Sequence, residues 1–273
     1  MVARDPHRFV NELDQGTLER LIARLEGRSR DAVFTRLFDK YLARLAVPQS
    51  PRILEVGCGT GAMLRLLVRR ADFTGEAIGV DHCSPFIEAG RRFADDEKVG
   101  DRITFRVGDV HHLDFPDASF DVVIAHTLIS HVTEPAMVVS EMGRVVRSGG
   151  TIVVFDGDYA SLTYSFADHC FGRQMDTALA SATFNNPRIM RDLPRLLPEL
   201  GLSLIEAWGD AVVEIGTGSY FKSFAETYVP YVEKAGLLPA QQIKVWLSEQ
   251  QRAMSDGTFF AACNYYTYLA GRR

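Results

Sequence analysis

Apolar residues recur at helical spacing through the first fifty positions: Leu18, Leu21, Ile22 and Leu25, then Val33, Leu37, Tyr41 and Leu45. The stretch 8–47 therefore reads as helix, with a break and a fresh cap in Gly27-Arg28-Ser29-Arg30-Asp31. Pro48 and Pro51 end the helical region. From Arg52 the pattern changes. Short apolar runs at 53–56, 77–81 and 121–125 predict buried strands, and 103–107 alternates as another. Helical patterns lie between them at 62–70, from an N-cap at Ser84 through Phe93, and at 135–146. Ser148-Gly149-Gly150 turns the chain into a fifth strand at 151–155. Beyond Tyr159 the pattern is less regular. It predicts a helix over 187–197, a strand over 202–208, helices within 219–253 broken near Gly236-Leu237-Leu238-Pro239, and a last strand over 258–269.

Strands alternating with helices imply an α/β fold: a Rossmann-like, seven-stranded, mostly parallel sheet with helices on both faces. The N-terminal helices and a helical insertion before the last strand complete it. Such sheets bind ligands at the carboxyl ends of their strands. The candidate chemistry falls there. Glu55-Val56-Gly57-Cys58-Gly59-Thr60-Gly61 follows the first strand and opens a helix. Glycines let backbone approach a ligand closely and adopt positive φ. Taken alone, Gly57-x-Gly59-x-x-Ala62 also fits the relaxed dinucleotide fingerprint. Asp81 ends the second strand, where a carboxylate can accept from both hydroxyls of a ribose. Asp109, in Gly108-Asp109-Val110, ends the third and can accept from an adenine amino group. Glu55 separates the alternatives. A carboxylate before the first glycine opposes a pyrophosphate and suits a ligand carrying an ammonium and a sulfonium.

Ile53 to Gly61 resembles motif I of the class I S-adenosylmethionine (SAM)-dependent methyltransferases. Gly79-Val80-Asp81 is similar to the acidic motif that follows in that superfamily, and Gly108-Asp109-Val110 to its adenine-binding region. Leu113 to Asp121 and Glu141 to Gly150 resemble the segments around its next two strands. The subgroup it resembles is the ubiquinone/menaquinone-biosynthesis type of small-molecule methyltransferases, over residues 50–157. The resemblance implies SAM as methyl donor and S-adenosylhomocysteine as product. It places Asp81 on the ribose, Asp109 on adenine, and Glu55, Gly57, Cys58 and Gly59 beside the methionine portion. His82 and Val110 would flank the adenosine, and Ala125 and His126 would face the methionine end. The chain lacks the Asn/Asp-Pro-Pro-Tyr/Phe tetrapeptide after strand four and carries Ala125-His126-Thr127-Leu128 instead. That departure argues against exocyclic amines of bases or glutamine side chains as acceptors.

On the acceptor side His131 is the candidate base, against a structural role for the same residue. Asp158 and Tyr159, after strand five, are candidates to orient a substrate, although Asp156-Gly157-Asp158 also reads as a simple polar turn. The aromatic C-terminal part is read mainly as core. The inserted helices over 219–253 and the N-terminal helices can form a lid over an apolar acceptor pocket. The expected organisation is one methyltransferase domain: a helical lid over 1–50, a SAM-binding core over 51–160, and substrate-side elements over 161–273.

Composition narrows the partners. The net charge of −5 is spread along 273 residues with no basic tract, so no nucleic-acid partner is expected. Cys58, Cys83, Cys170 and Cys263 have no CxxC spacing, so no metal site or disulfide frame is indicated, and a reduced cytoplasmic setting fits. The polar N-terminus suggests no signal peptide, and no apolar run is long enough for a membrane span. The chain reads as an enzyme methylating O, N or C of a small cyclic or aromatic metabolite. Alternatives are a SAM-binding sensor without catalysis, a protein or RNA methyltransferase, or a nicotinamide dehydrogenase. Either helical region could support a homodimer.

Overall fold

The computed structural model describes residues 14–272. The part of the first predicted helix that falls on 8–13 lies outside them. Helices α1 (Gln15–Arg30) and α2 (Ala32–Leu42) meet at Asp31, whose side chain caps α2 by accepting from the Val33 N–H. Strands β1 (Arg52–Val56), β2 (Glu76–Asp81) and β3 (Ile103–Val107) follow, separated by α3 (Ala62–Val68) and α4 (Ser84–Asp96). Ser84 is the first residue of α4 and not its cap. Cys83 holds the cap position, with Pro85 setting the first turn. Next come β4 (Phe120–His126), α5 (Pro135–Val145), β5 (Val146–Tyr164), α6 (His169–Thr183) and α7 (Ile189–Glu199). The remaining elements are β6 (Leu202–Gly216), α8 (Tyr220–Ala235), α9 (Ala240–Ser255) and β7 (Phe259–Arg272).

The seven strands form one sheet in the order β3-β2-β1-β4-β5-β7-β6, parallel except for β7, which is antiparallel to both β5 and β6. The chain winds outward from β1 to β3, then returns to lay β4 on the other side of β1, with Ile53 opposite both Ala77 and Val122. That reversal opens a crevice beyond the carboxyl ends of β1 and β4. Period-two alternation divides the strand residues between two cores. Ile53, Val122, Ile124 and Phe155 face one side, with α2, α3, α6 and α8. Leu54, Val123, Ala125 and Val154 face the other, with α5 and α7.

Three strands run longer than the sequence pattern predicts, and one helix was missed. β5 passes straight through Asp156-Gly157-Asp158 because the sheet satisfies these residues: Asp156 is fully buried and accepts from the Ser130 and Gly157 amides at 3.0 and 2.8 Å. They pair with Tyr266, Tyr265 and Asn264 of β7. α6 has its signals in the sequence. Asp168 caps it through the Cys170 and Phe171 amides, and Phe171, Met175 and Leu179 line its buried face at four-residue spacing.

A buried ion pair fixes α1 on this framework. Arg65 of α3 is 2% exposed and its Nη2 lies 2.6 Å from Glu26 Oε2 of α1. Glu26 also accepts from the Thr60 hydroxyl, and Arg65 donates to the Thr60 carbonyl and to Glu97. Removing one partner of a buried pair leaves an uncompensated charge. Glu26→Ala is therefore expected to lower unfolding free energy by roughly 3–5 kcal/mol in urea denaturation. The double change Glu26→Leu with Arg65→Met should recover much of that loss.

Candidate functional site

Beyond the carboxyl ends of β1, β2, β4 and β5 lies a cavity of about 480 Å³. The glycine loop forms its floor. Gly57, Gly59 and Gly61 have φ of 65°, 54° and 66°, which non-glycine residues rarely adopt. Space is equally restrictive. A Cβ on Gly57 would lie 2.3 Å from Leu128, and one on Gly61 2.3 Å from Phe105. The loop is tied to β2 by its own backbone: the Cys58 amide donates to the Val80 carbonyl at 3.0 Å. Asp81 extends the tie. Its two carboxylate oxygens accept from the Gly59 amide at 2.8 Å and the Cys83 amide at 2.9 Å. Each oxygen keeps a second lone pair, enough for a diol to donate to. Burial raises the Asp81 pKa, against those amide bonds and His82.

Glu55 lies at the head of the loop, 3% exposed, and its Oε2 has no hydrogen-bond partner among the described residues. Burial pushes its pKa up to about 8; Arg28 and Arg65 oppose the shift and Asp81 adds to it. Near it, at the end of β4, His126 is 4% exposed. Its Nδ1 is 3.0 Å from the Tyr41 hydroxyl and its Nε2 is unpartnered. Burial, then Arg28, holds this imidazole well below its ordinary pKa, so it is neutral. Thr127 follows with φ of 55°, a strained conformation for a β-branched residue at the cavity wall.

At the opposite rim Asp109 turns its Oδ1 to the amide and ring nitrogen of His111, at 2.9 and 2.7 Å. Partial burial acts to raise its pKa, but these bonds prevail and lower it. His82 and Val110 line the same end. His131 lines the other half, its ring 4.8 Å from that of Phe184, with Asp156 close enough to be influenced by its charge. Tyr159 is stacked on Phe184 and is kept as a neutral phenol by burial.

The structure thus gathers Glu55, Gly57, Cys58, Gly59, Asp81, His82, Asp109, Val110, His126, His131 and Tyr159 around one cavity. Ala125 and Asp158 stand apart. Alternation along β4 turns Ala125 to the α5 face, while Thr127 and Leu128 take the wall position. Asp158 is buried in a pair with Arg191 of α7 at 2.7 Å. The sequence reading makes α1 and α8 parts of a lid but assigns none of their residues to the site. Arg24, Leu25 and Arg28 come from α1, and Tyr220, Phe224 and Tyr228 from α8. The i, i+4 spacing of Arg24 and Arg28 was the available signal. Among the described residues no group of three or more His, Cys, Asp or Glu is disposed to hold a metal ion. None of their helices is long and apolar enough to cross a membrane.

Residues 54–154 match the family model described as a methyltransferase domain. A 37.1 kDa protein of a Streptomyces fradiae transposon is 29% identical over 80% of this chain and 61% of its own length. A sterol 24-C-methyltransferase of Yarrowia lipolytica is 31% identical over 50% of the chain and 37% of its own length. The 27-O-demethylrifamycin SV methyltransferase of Amycolatopsis mediterranei is 30% identical over 48% and 47%. The chain therefore spans less than two thirds of each of these relatives. Among solved structures, the [4+2]-cyclase SpnF superposes with a TM-score of 0.57 at 19% identity, over 89% of this chain and 84% of that one. A geranyl diphosphate C-methyltransferase from Streptomyces coelicolor gives 0.54 at 16%, over 88% and 79%. At such identities these two show the shared fold.

The buried Glu55 generates a pH signature. Its folded pKa of about 8 exceeds the unfolded value of 4.5, so the folded state binds the extra proton between them. Stability of the ligand-free protein should therefore fall as pH rises through that window, by up to roughly 5 kcal/mol at about 1.4 kcal/mol per unit. Glu55→Gln should flatten this slope in denaturation measured at pH 5 and pH 8.

Proposed function

We propose, from the premise that this chain carries a class I SAM-dependent methyltransferase domain, that it methylates a small apolar ring-bearing molecule. The observation that carries the reading is the donor half of the cavity. Two buried polar atoms there, Glu55 Oε2 and His126 Nε2, lack partners beside a loop that admits no side chain at Gly57. A ligand with an ammonium group would meet the first of them, and its arrival would draw the Glu55 proton off. Arg28, whose charge acts on both Glu55 and His126, is placed to hold the methionine carboxylate. Asp81 keeps lone pairs for the ribose hydroxyls, and Asp109 with His82 and Val110 would border the adenine. Bound SAM supplies an electrophilic methyl group, so the protein's main task is alignment at near-attack distance.

The acceptor half is walled by Tyr159, Phe184, Tyr220, Phe224 and Tyr228, which suits a cyclic or aromatic molecule and excludes water. α1 and α8 roof it, and we read them as the lid. The relatives named for a sterol and a rifamycin support an apolar small-molecule acceptor. His131 is the base of this reading, with the Asp156 carboxylate beside it to stabilise the imidazolium after proton removal. A SAM-binding protein without transfer is the second reading, since the partnerless polar atoms of the donor half call for a ligand and not for transfer.

Incubation with methyl-labelled SAM and a panel of cyclic metabolites separates the two readings. Label in a product supports the enzyme, and SAM bound without transfer to any fraction supports the binding protein. Asp81→Ala should weaken S-adenosylhomocysteine binding by roughly 100-fold in calorimetry, since two hydrogen bonds to a charged group are lost. An unchanged affinity would remove Asp81 from the donor site. His131→Gln should lower kcat by about 100-fold with donor affinity intact. An unchanged kcat would leave alignment as the whole of the chemistry.

A further inference from the structure

Arg24 stands out among the arginines of the cavity. Its guanidinium carbon lies 5.2, 5.1 and 4.9 Å from the ring centres of Tyr220, Phe224 and Tyr228. Cation–π attraction holds the plate among the rings but leaves its N–H edge for hydrogen bonding. Among the described residues that edge meets two hydroxyls at long range: Tyr228 at 3.4 Å and Ser223 at 3.3 Å. Among the described residues no carboxylate lies within ion-pair distance of it. The contrast with Arg65, Arg144 and Arg191 is direct, since each of those has an acid within about 3 Å. A cation taken from water into an aromatic wall costs free energy unless an anion meets it. The nearby acids do not serve. Glu55 lies at the donor end, next to Arg28 and not Arg24.

The positions along α1 separate the two arginines. Leu25 covers Gly59, with 3.0 Å between its Cδ1 and a Cβ placed there, and Glu26 is tied to Thr60. Arg28 acts on Glu55 and His126 as well as on Tyr159 and Tyr220, whereas Arg24, one turn back, acts on Tyr220, Tyr228 and Tyr265 and on neither Glu55 nor His126. Arg24 is thus the arginine confined to the aromatic end, among Tyr220, Phe224 and Tyr228. We propose that Arg24 is an anion-recognition residue, and that the acceptor is an apolar ring system carrying a carboxylate or equivalent oxyanion seated on its N–H edge. This rests on the reading that the donor occupies the glycine-loop end.

The test uses a matched pair of probes, 2-naphthoate and its neutral isostere 2-naphthamide, titrated calorimetrically into the protein with and without S-adenosylhomocysteine. Wild-type protein should bind the naphthoate at least tenfold more tightly. Arg24→Gln should erase that preference and leave S-adenosylhomocysteine affinity unchanged, while Arg24→Lys, which keeps the charge, should retain a preference. Arg28→Gln should show the opposite split, weakening S-adenosylhomocysteine. Equal affinities for the two probes in wild type, or binding of neither, would overturn the proposal without any variant. So would a loss of S-adenosylhomocysteine binding in Arg24→Gln matching that in Arg28→Gln. Absence of S-adenosylhomocysteine binding to wild type would instead sink the donor reading, while an anion preference found there without it would still support the role of Arg24.

Discussion

The guanidinium of Arg65 joins parts of the chain that the sheet alone does not hold together. It reaches Glu26 on α1, the Thr60 carbonyl in the glycine loop, and Glu97 just past α4. Buried ion pairs contribute little net stability against apolar alternatives, but they are exacting about geometry. Here the geometry sets where α1 lies, and α1 carries both cations of the cavity. The loop that would receive a donor and the helix that would recognise both ligands are thereby fixed relative to one another through one side chain.

Charge inside the cavity is arranged unevenly. Glu55 retains its proton up to about pH 8, His126 is neutral, and Asp81 is engaged by amides. At neutral pH Arg28 is thus the permanent cation acting on Glu55 and His126. A zwitterionic, sulfonium-bearing ligand changes this balance on entry, because it favours the ionised Glu55. The donor half therefore adjusts its protonation to its ligand, while burial keeps Tyr159 and Tyr220 of the aromatic half as neutral phenols.

Much of this architecture could be read from the residues, for a physical reason. The glycine loop, Asp81 and Asp109 are short contiguous features whose conformational or chemical demand is met by few residue types, so their identity reveals their task. The parallel core strands were legible as apolar runs. The failures share a different cause. The resemblance implied Ala125 at the methionine end, and the place after strand five made Asp158 a candidate, but strand alternation turns them to the α7 face of the sheet while Glu55, His126 and Tyr159 face the cavity. Arg24 and Arg28 received no role: Arg24 lies on a face of the first predicted helix and Arg28 in its predicted break. Only the packing of α1 against α8 shows that this face is turned inward. The extension of β5 was hidden because acids and glycine usually end a strand, and these are satisfied by neighbouring amides and by Tyr159 lying over Gly157.

The place of β7 in the sheet has a consequence for how the molecule is made. It is the last strand of the sheet in the chain, yet it sits between β5 and β6. Until residues 259–272 are available, those two strands share no hydrogen-bonded edge, and each presents an open ladder of amides and carbonyls. β6 also carries exposed Ile205 and Ile215. During synthesis β1 to β5 can assemble the parallel core, but β6 joins the sheet only when residues 259–272 insert. Pairings such as Ile152 with Ala270 close loops of more than a hundred residues, which slows folding and lengthens the time those edges stay open. Chaperone engagement on a ribosome-bound chain should therefore centre on β5 and β6 and end when the last strand slides between them.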